Sequence, residues 1–184
     1  MCAGFTLVGE KLLQFNVMSY CKIVIFRDGK AAEDIEFRNA WGGAARIWES
    51  LFERYLKNPD IPYDSWLFGN QQLLWDLAKR QTLPIYERAV HASTFDRAYV
   101  RQVNFSRFCT DLRAFDAAFP AGTKISHLQA WADAIEKLNA EAIGFHGTSV
   151  SEDLWRKYDE AKDESIATPL SEGWEIYEWL NTSY

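Results

Sequence analysis

The sequence feature that constrains the fold most strongly is a pair of short strands joined by an Asp-Gly turn. Residues 20–26 read Tyr-Cys-Lys-Ile-Val-Ile-Phe, Asp28-Gly29 follows, and residues 33–38 read Glu-Asp-Ile-Glu-Phe-Arg. Asp-Gly is favoured in hairpin turns that need positive φ angles. Both faces of the first strand carry apolar residues, whereas apolar and charged residues alternate along the second. The pattern therefore predicts an antiparallel hairpin with a fully buried first strand and a half-solvated second strand.

Helical periodicity follows this hairpin. Apolar side chains recur every three to four residues from Ala44 to Leu56, with charged side chains on the opposite face. Similar patterns predict helices at 69–77, 105–119 and 125–138. Further strands are predicted at 85–91 and 141–146. We therefore expect an α+β fold, in which a small, mainly antiparallel sheet of three or four strands packs with four or five amphipathic helices.

The length of 184 residues fits a single domain. The run that begins at Met18 reads like a natural start, because the first strand follows almost at once. We therefore predict an N-terminal extension at 1–17 and one α+β domain at 18–184, with an acidic C-terminal third at 133–184. Whether residues 1–17 belong to the natural protein is left open.

Cysteine and histidine usage argues against several classes of site. The three cysteines, Cys2, Cys21 and Cys109, include no C-x-x-C pair, and the chain has only three histidines. This favours a reducing, cytoplasmic location and does not support a disulfide framework or a zinc cluster. No stretch approaches 18 consecutive apolar residues, so no membrane span is expected. No cofactor, metal or catalytic residue is predicted.

Charge is distributed unevenly along the chain. The net charge is −6, yet residues 1–132 carry 16 basic and 14 acidic side chains, whereas residues 133–184 carry 4 basic and 12 acidic ones. Phosphates would be repelled by the acidic third, so direct nucleic-acid binding is not expected there. A protein partner with a basic surface fits this charge better.

Acidic and aromatic residues are interleaved in that third, as in many protein interfaces. The predicted partner-binding residues are Glu152, Asp153, Trp155, Tyr158, Asp159, Glu160, Asp163 and Glu164. We therefore predict a non-enzymatic interaction protein, of the inhibitor or adaptor kind, that binds a basic, nucleic-acid-binding protein. Small size and acidity are typical of accessory proteins of phages or mobile elements. The competing interpretation of the same carboxylates is a solvated face of a charged helix.

An alternative function is a small enzyme or ligand-binding domain with a site at Gly42, Gly43, His146 and Thr148. The two glycines stand between a strand and a helix, where backbone N–H groups can hold a phosphate or carboxylate. Glycine also permits a tight turn at the same place. This alternative requires the glycine pair and His146 to lie within about 15 Å, because catalytic groups act on one substrate.

The string His146-Gly147-Thr148-Ser149 resembles the His-Gly-Thr that ends a strand in ADP-ribosyltransferases. The resemblance implies that His146 and a later tyrosine, for which Tyr158 is available, bind NAD. It also implies a catalytic glutamate on a late strand, for which Glu175 is available. The other interpretation is that Thr148 or Ser149 caps or turns the chain after a strand.

Overall fold

The computed structural model describes residues 19–57, 71–147 and 153–182. The strands are β1 (Tyr20–Arg27), β2 (Lys30–Arg38), β3 (Ala98–Arg101), β4 (Ala142–His146), β5 (Arg156–Asp159), β6 (Glu164–Ala167) and β7 (Trp174–Glu175). The helices are α1 (Ala44–Tyr55), α2 (Gln71–Lys79), α3 (Ile85–Ala92), α4 (Phe105–Ala118), α5 (Leu128–Ile135) and α6 (Ile176–Thr182). The α+β class is therefore confirmed, while the predicted extension at 1–17 lies outside the described residues.

The main sheet has five strands in the order β2-β1-β4-β3-β7, and β5 pairs with β6 in a separate two-stranded sheet. All neighbours are antiparallel except β3 and β7, which are parallel. The prediction of three or four strands and four or five helices was too low. It omitted β3 and β7, which have four and two residues and are too short to show an alternating pattern.

The N-terminal hairpin is present, but both of its strands are longer than predicted, since β1 extends to Arg27 and β2 begins before residue 33. Asp28 and Gly29 form the two-residue loop, with φ angles of 50° and 72°, as the Asp-Gly pair indicates. The β2 strand begins at Lys30, directly after the loop, and a register shift falls between Ile25 and Phe26 of β1. Such a bulge at a sheet edge increases the local twist.

One face of the sheet packs against the helices. Cys21, Ile23 and Ile25 of β1 point into this larger core. The helices contribute buried apolar residues to it, including Ile47, Leu51, Phe52, Val90, Phe108, Leu112, Phe115, Leu128, Trp131 and Ile135. Removing such side chains from water supplies most of the driving force for folding, roughly 1.5–3 kcal/mol for each large residue.

The opposite face of the sheet carries a second, smaller core that includes Val24 and Phe26 of β1. The β1 strand is thus buried on both faces, as predicted. Trp155, immediately before β5, is the largest side chain of this core and is 1% exposed. Its ring lies 4.8 Å from that of Phe26 in an edge-to-face contact. A Cβ atom on Gly144 of β4 would lie 2.6 Å from Trp155 Nε1, so glycine leaves the space that the indole fills.

Two secondary-structure predictions were wrong. Residues 85–91 were predicted as a strand but belong to α3, whose residues 87–92 are all buried. Eight residues give too few helical turns for the apolar pattern to distinguish a helix from a strand. The acidic stretch from residue 153 onward, weighed as a charged helix, contains the β5–β6 hairpin instead. None of the described helices is long and apolar enough to cross a membrane.

Candidate functional site

The β5–β6 hairpin is attached to the main sheet by a cluster of charged side chains. Lys22 Nζ of β1 lies 2.9 Å from Asp34 Oδ2 of β2 and 2.6 Å from Asp153 Oδ2. Arg156 Nη2 of β5 lies 3.0 Å from Asp34 Oδ1. The Lys22 side chain is only 7% exposed. This ion cluster, Lys22, Asp34, Asp153 and Arg156, therefore joins β1, β2 and the base of the hairpin.

The electrostatic balance of the cluster keeps Lys22 charged. Burial alone would lower the Lys22 pKa, but hydrogen bonds and charges from Asp153 and Asp34 outweigh it and raise the pKa overall. A charge this well buried is tolerated only when it is paired. Together with Trp155, the ion cluster fixes the position of the hairpin on the sheet.

Beyond this base, the hairpin projects side chains into solvent. Tyr158 is 61% exposed and Ile166 is 43% exposed. Residues that pair across an antiparallel ladder share a face, and successive residues alternate between faces. Tyr158 pairs with Ser165 and Ile166 pairs with Lys157, so the two exposed apolar side chains lie on opposite faces of the hairpin.

Seven of the eight predicted partner-binding residues are described, and they fall into two groups. Asp153 belongs to the ion cluster, and Trp155 is a core residue rather than a surface anchor. Glu152 lies outside the described residues. The remaining five share one projection, formed by β5, β6 and the turn between them: Tyr158, Asp159, Glu160, Asp163 and Glu164. We call these five residues, with Ile166, the hairpin tip.

Cations from the central part of the chain offset much of the acidity elsewhere in residues 133–184. Arg113 of α4 pairs with Asp133 and Glu136. Two further pairs have the same character: Arg97 with Glu172, and Arg101 with Glu178. Lys157, from the acidic third itself, also pairs with Glu172. At the hairpin tip, Lys162 lies 3.5 Å from Asp159 and 3.7 Å from Glu164. The acidic excess is therefore smaller at the surface than the sequence count indicates.

The two segments of the alternative ligand site, residues 42–43 and residues 146–147, lie close together. The N–H of Ala44, which opens α1, donates to the carbonyl oxygen of Gly147 at 3.2 Å. A Cβ atom on Gly43 would lie 3.0 Å from the same oxygen and 2.9 Å from Cys21 Sγ. The required proximity is thus met. However, the first N–H group of α1 is already hydrogen-bonded to a protein carbonyl. Close packing accounts for the glycine at position 43. Thr148 lies outside the described residues.

Gly42 has a packing role of its own, which can be tested. A Cβ atom at this position would lie 2.4 Å from Cδ2 of the His127 ring, whose Nε2 lies 3.0 Å from the carbonyl oxygen of Asn39. Gly42→Ala is therefore expected to lower the free energy of unfolding by about 1–3 kcal/mol, the usual cost of overpacking. Chemical denaturation measures this, and an unchanged midpoint would contradict the packing role.

The structure places the three residues implied by the ADP-ribosyltransferase resemblance on three different strands. His146 is buried on β4 opposite Lys22 of β1, and burial lowers its pKa, although the charge of Asp153 partly opposes this shift. Glu175 is buried on β7 and accepts hydrogen bonds from Asn104 Nδ2 at 2.9 Å and from the N–H of Glu178 at 2.7 Å. It thereby caps the first turn of α6. Tyr158 lies on the hairpin tip.

A groove of about 520 Å³ runs between α1 and the segment after α4. Its cations are already engaged by the protein. Arg46 Nη2 donates to the carbonyl oxygen of Phe119 at 2.5 Å, and Arg54 Nη2 donates to that of Ala118 at 2.6 Å. Lys124 pairs with Glu49. The two arginines satisfy carbonyl groups at the C-terminal end of α4, which is a structural role.

Sequence reasoning missed Lys22, Asp34 and Arg156 as partners of the acidic segment, because nothing local marks them as neighbours. Within residues 19–57, 71–147 and 153–182, no group of three or more His, Cys, Asp or Glu side chains is arranged to hold a metal ion. Comparison with known proteins gives no match: no family model, curated protein or solved structure matches the chain.

Proposed function

We propose that this protein is a non-enzymatic interaction module, of the inhibitor or adaptor kind, and that the hairpin tip is its recognition element. The observation that carries the proposal is the contrast between the two ends of the hairpin. Its base is fixed by buried Trp155 and by the ion pairs of Lys22, while Tyr158 and Ile166 are exposed. An element held in place before binding loses little conformational entropy when a partner binds.

The arrangement of the tip suggests the shape of the partner. Because Tyr158 and Ile166 lie on opposite faces, a partner that contacts both must receive the hairpin in a cleft. Tyrosine is enriched at the centres of protein interfaces, where its ring supplies contact area and its hydroxyl supplies a hydrogen bond. The Tyr158 hydroxyl already donates to Asp163, which restricts the ring before binding.

The charge of the tip suggests the chemistry of the partner. Four carboxylates, Asp159, Glu160, Asp163 and Glu164, accompany a single lysine, Lys162, between positions 158 and 166. Glu160, Asp163 and Glu164 are exposed. Carboxylates grouped in this way attract a basic surface and raise the rate of association. A nucleic-acid-binding protein presents such a basic surface. We propose that the hairpin tip acts by binding to part of that surface.

Charge reversal tests this proposal. The double variant Glu160→Lys and Glu164→Lys keeps Asp159, whose carboxylate accepts a hydrogen bond from the N–H of Ala161 within the turn. We expect partner capture from a cell lysate to fall at least about tenfold, because several favourable charge contacts become repulsive. Capture by the unmodified protein should also weaken as salt is raised. Quantitative affinity capture at two ionic strengths measures both effects.

The matched control is Glu33→Lys with Glu53→Lys, which makes the same charge change at exposed positions on β2 and α1. This control should retain capture, and circular dichroism should show that both double variants are folded. Equal capture by the tip variant and the control would exclude the hairpin tip as the recognition element.

A further inference from the structure

His146 of β4 lies beside the ion cluster at the base of the β5–β6 hairpin. It is directly opposite Lys22 in the antiparallel ladder of β1 and β4, and it is only 6% exposed. Alternate residues of a strand share a face, so His146 projects from the same face of the sheet as Gly144, which contacts Trp155. The imidazole is thus enclosed on the side of the sheet that the hairpin occupies.

The charges around His146 are balanced while its ring is neutral. Lys22, Asp34 and Asp153 lie near enough to influence its ionisation, and the ring of Tyr20 is 6.2 Å away. Within the ion cluster, the two carboxylates bind Lys22 and Arg156, so two negative charges offset two positive ones. A proton on His146 would add a third positive charge next to Lys22, where both carboxylates are already engaged.

We infer that His146 makes the attachment of the hairpin sensitive to acid, so that mild acidification releases the β5–β6 hairpin from the face of the main sheet. A buried charge is costly unless it is paired. Lifting the hairpin opens the imidazole to water, where it can be protonated without this cost. Acid therefore favours the released state over the attached one.

The direction of the pH dependence follows from the two environments of His146. In the attached state, burial lowers its pKa from the ordinary value of 6.5, although the charge of Asp153 partly opposes this shift. In the released state the ring is solvated and titrates near the ordinary value. The attachment is therefore fully stable above pH 6.5 and weakens as pH falls below it.

The consequence for recognition rests on the proposed function. The hairpin tip is held in place at neutral pH, whereas a released hairpin would have to be ordered again when a partner binds, at a cost in conformational entropy. Acidification would thus weaken partner binding through the base of the hairpin, without any change in the carboxylates of the tip.

Hydrogen exchange measured by mass spectrometry tests the release directly, on the full chain without a partner at pH 7.5 and pH 5.5. Rates are divided by those of unfolded peptides at each pH. An isolated two-stranded hairpin is marginally stable in water, so its amides exchange once it is released. Exchange in residues 153–167 should rise several-fold relative to α1, with a ceiling of about tenfold set by a histidine pKa of 6.5.

Two variants separate this release from other effects of acid. His146→Gln keeps a polar side chain that does not titrate in this range, and it should abolish the rise. His91→Leu removes another buried histidine, which lies in α3 away from the hairpin, and it should keep the rise. An unchanged response in His146→Gln, or an equal rise in the hairpin and α1, would overturn the inference. Since no partner is used, either result leaves the proposed function standing.

Discussion

Replacing Trp155 with alanine is expected to lower the free energy of unfolding by about 3–5 kcal/mol, the range for removal of a large buried aromatic side chain. The indole lies against Phe26 and fills the space left by Gly144. Few other large side chains occupy this smaller core, so little is available to fill the cavity. Chemical denaturation followed by circular dichroism gives the free energy.

Trp155→Ala should also loosen the hairpin. Lys157 and Lys162 are exposed trypsin sites on it, and tryptic cleavage there should accelerate when its anchor is removed. Trp41→Ala is the matched control, since it removes an indole that is mostly in solvent and should cost less than about 1 kcal/mol. Equal stability losses in the two variants would show that Trp155 does not anchor the hairpin.

Replacing His91 with leucine is expected to make the protein less sensitive to acid. His91 of α3 is buried, and neither of its ring nitrogens has a hydrogen-bond partner. Its ring packs 4.8 Å from that of Phe95. Burial disfavours the charged imidazolium and lowers the His91 pKa from 6.5 to about 3. The folded protein therefore keeps this histidine neutral over a pH range in which the unfolded chain protonates it.

The sign of the effect follows from proton binding. Between pH 6.5 and pH 3 the unfolded state binds more protons at His91 than the folded state, so stability falls as pH falls through this window. At pH 4 the loss from this residue is about 3 kcal/mol relative to pH 8. The unfolding free energy of His91→Leu should decline correspondingly less between pH 8 and pH 4. Parallel stability curves for the two proteins would contradict the assignment.

The N-terminal hairpin and α1 could be predicted from sequence because their signals are local. Asp28-Gly29 specifies the turn, and the spacing of Ile47, Leu51 and Phe52 reflects one buried helical face. The helical structure of α3, by contrast, depends on burial in the tertiary structure. Its Glu87 accepts hydrogen bonds from Tyr55 and from two neighbouring side chains, which lets a charged residue enter the core. No rule of periodicity reveals such partners.

In the candidate site, too, local features could be predicted from the sequence, whereas long-range contacts could not. The exposure of Tyr158 and of most carboxylates at the hairpin tip could be predicted from composition, because exposed charged residues need no distant partner. The sequence predicts Trp155 as a surface anchor, but the residue is buried, because Gly144 on another strand provides the space for its indole ring. The ion pair of Arg156 with Asp34 joins residues 122 positions apart. Contacts between residues so far apart depend on the sheet topology, which single-sequence patterns do not determine.

Site-specific photo-crosslinking tests the proposed role of the hairpin tip most directly. A photoreactive phenylalanine analogue replaces Tyr158 in one protein and Trp41, also exposed, in a second protein. Both are irradiated in the same lysate, and adducts are analysed by mass spectrometry. The proposal predicts one dominant adduct with a basic protein from position 158, and little or none from position 41. Crosslinking only from position 41, or the same adducts from both positions, would contradict it.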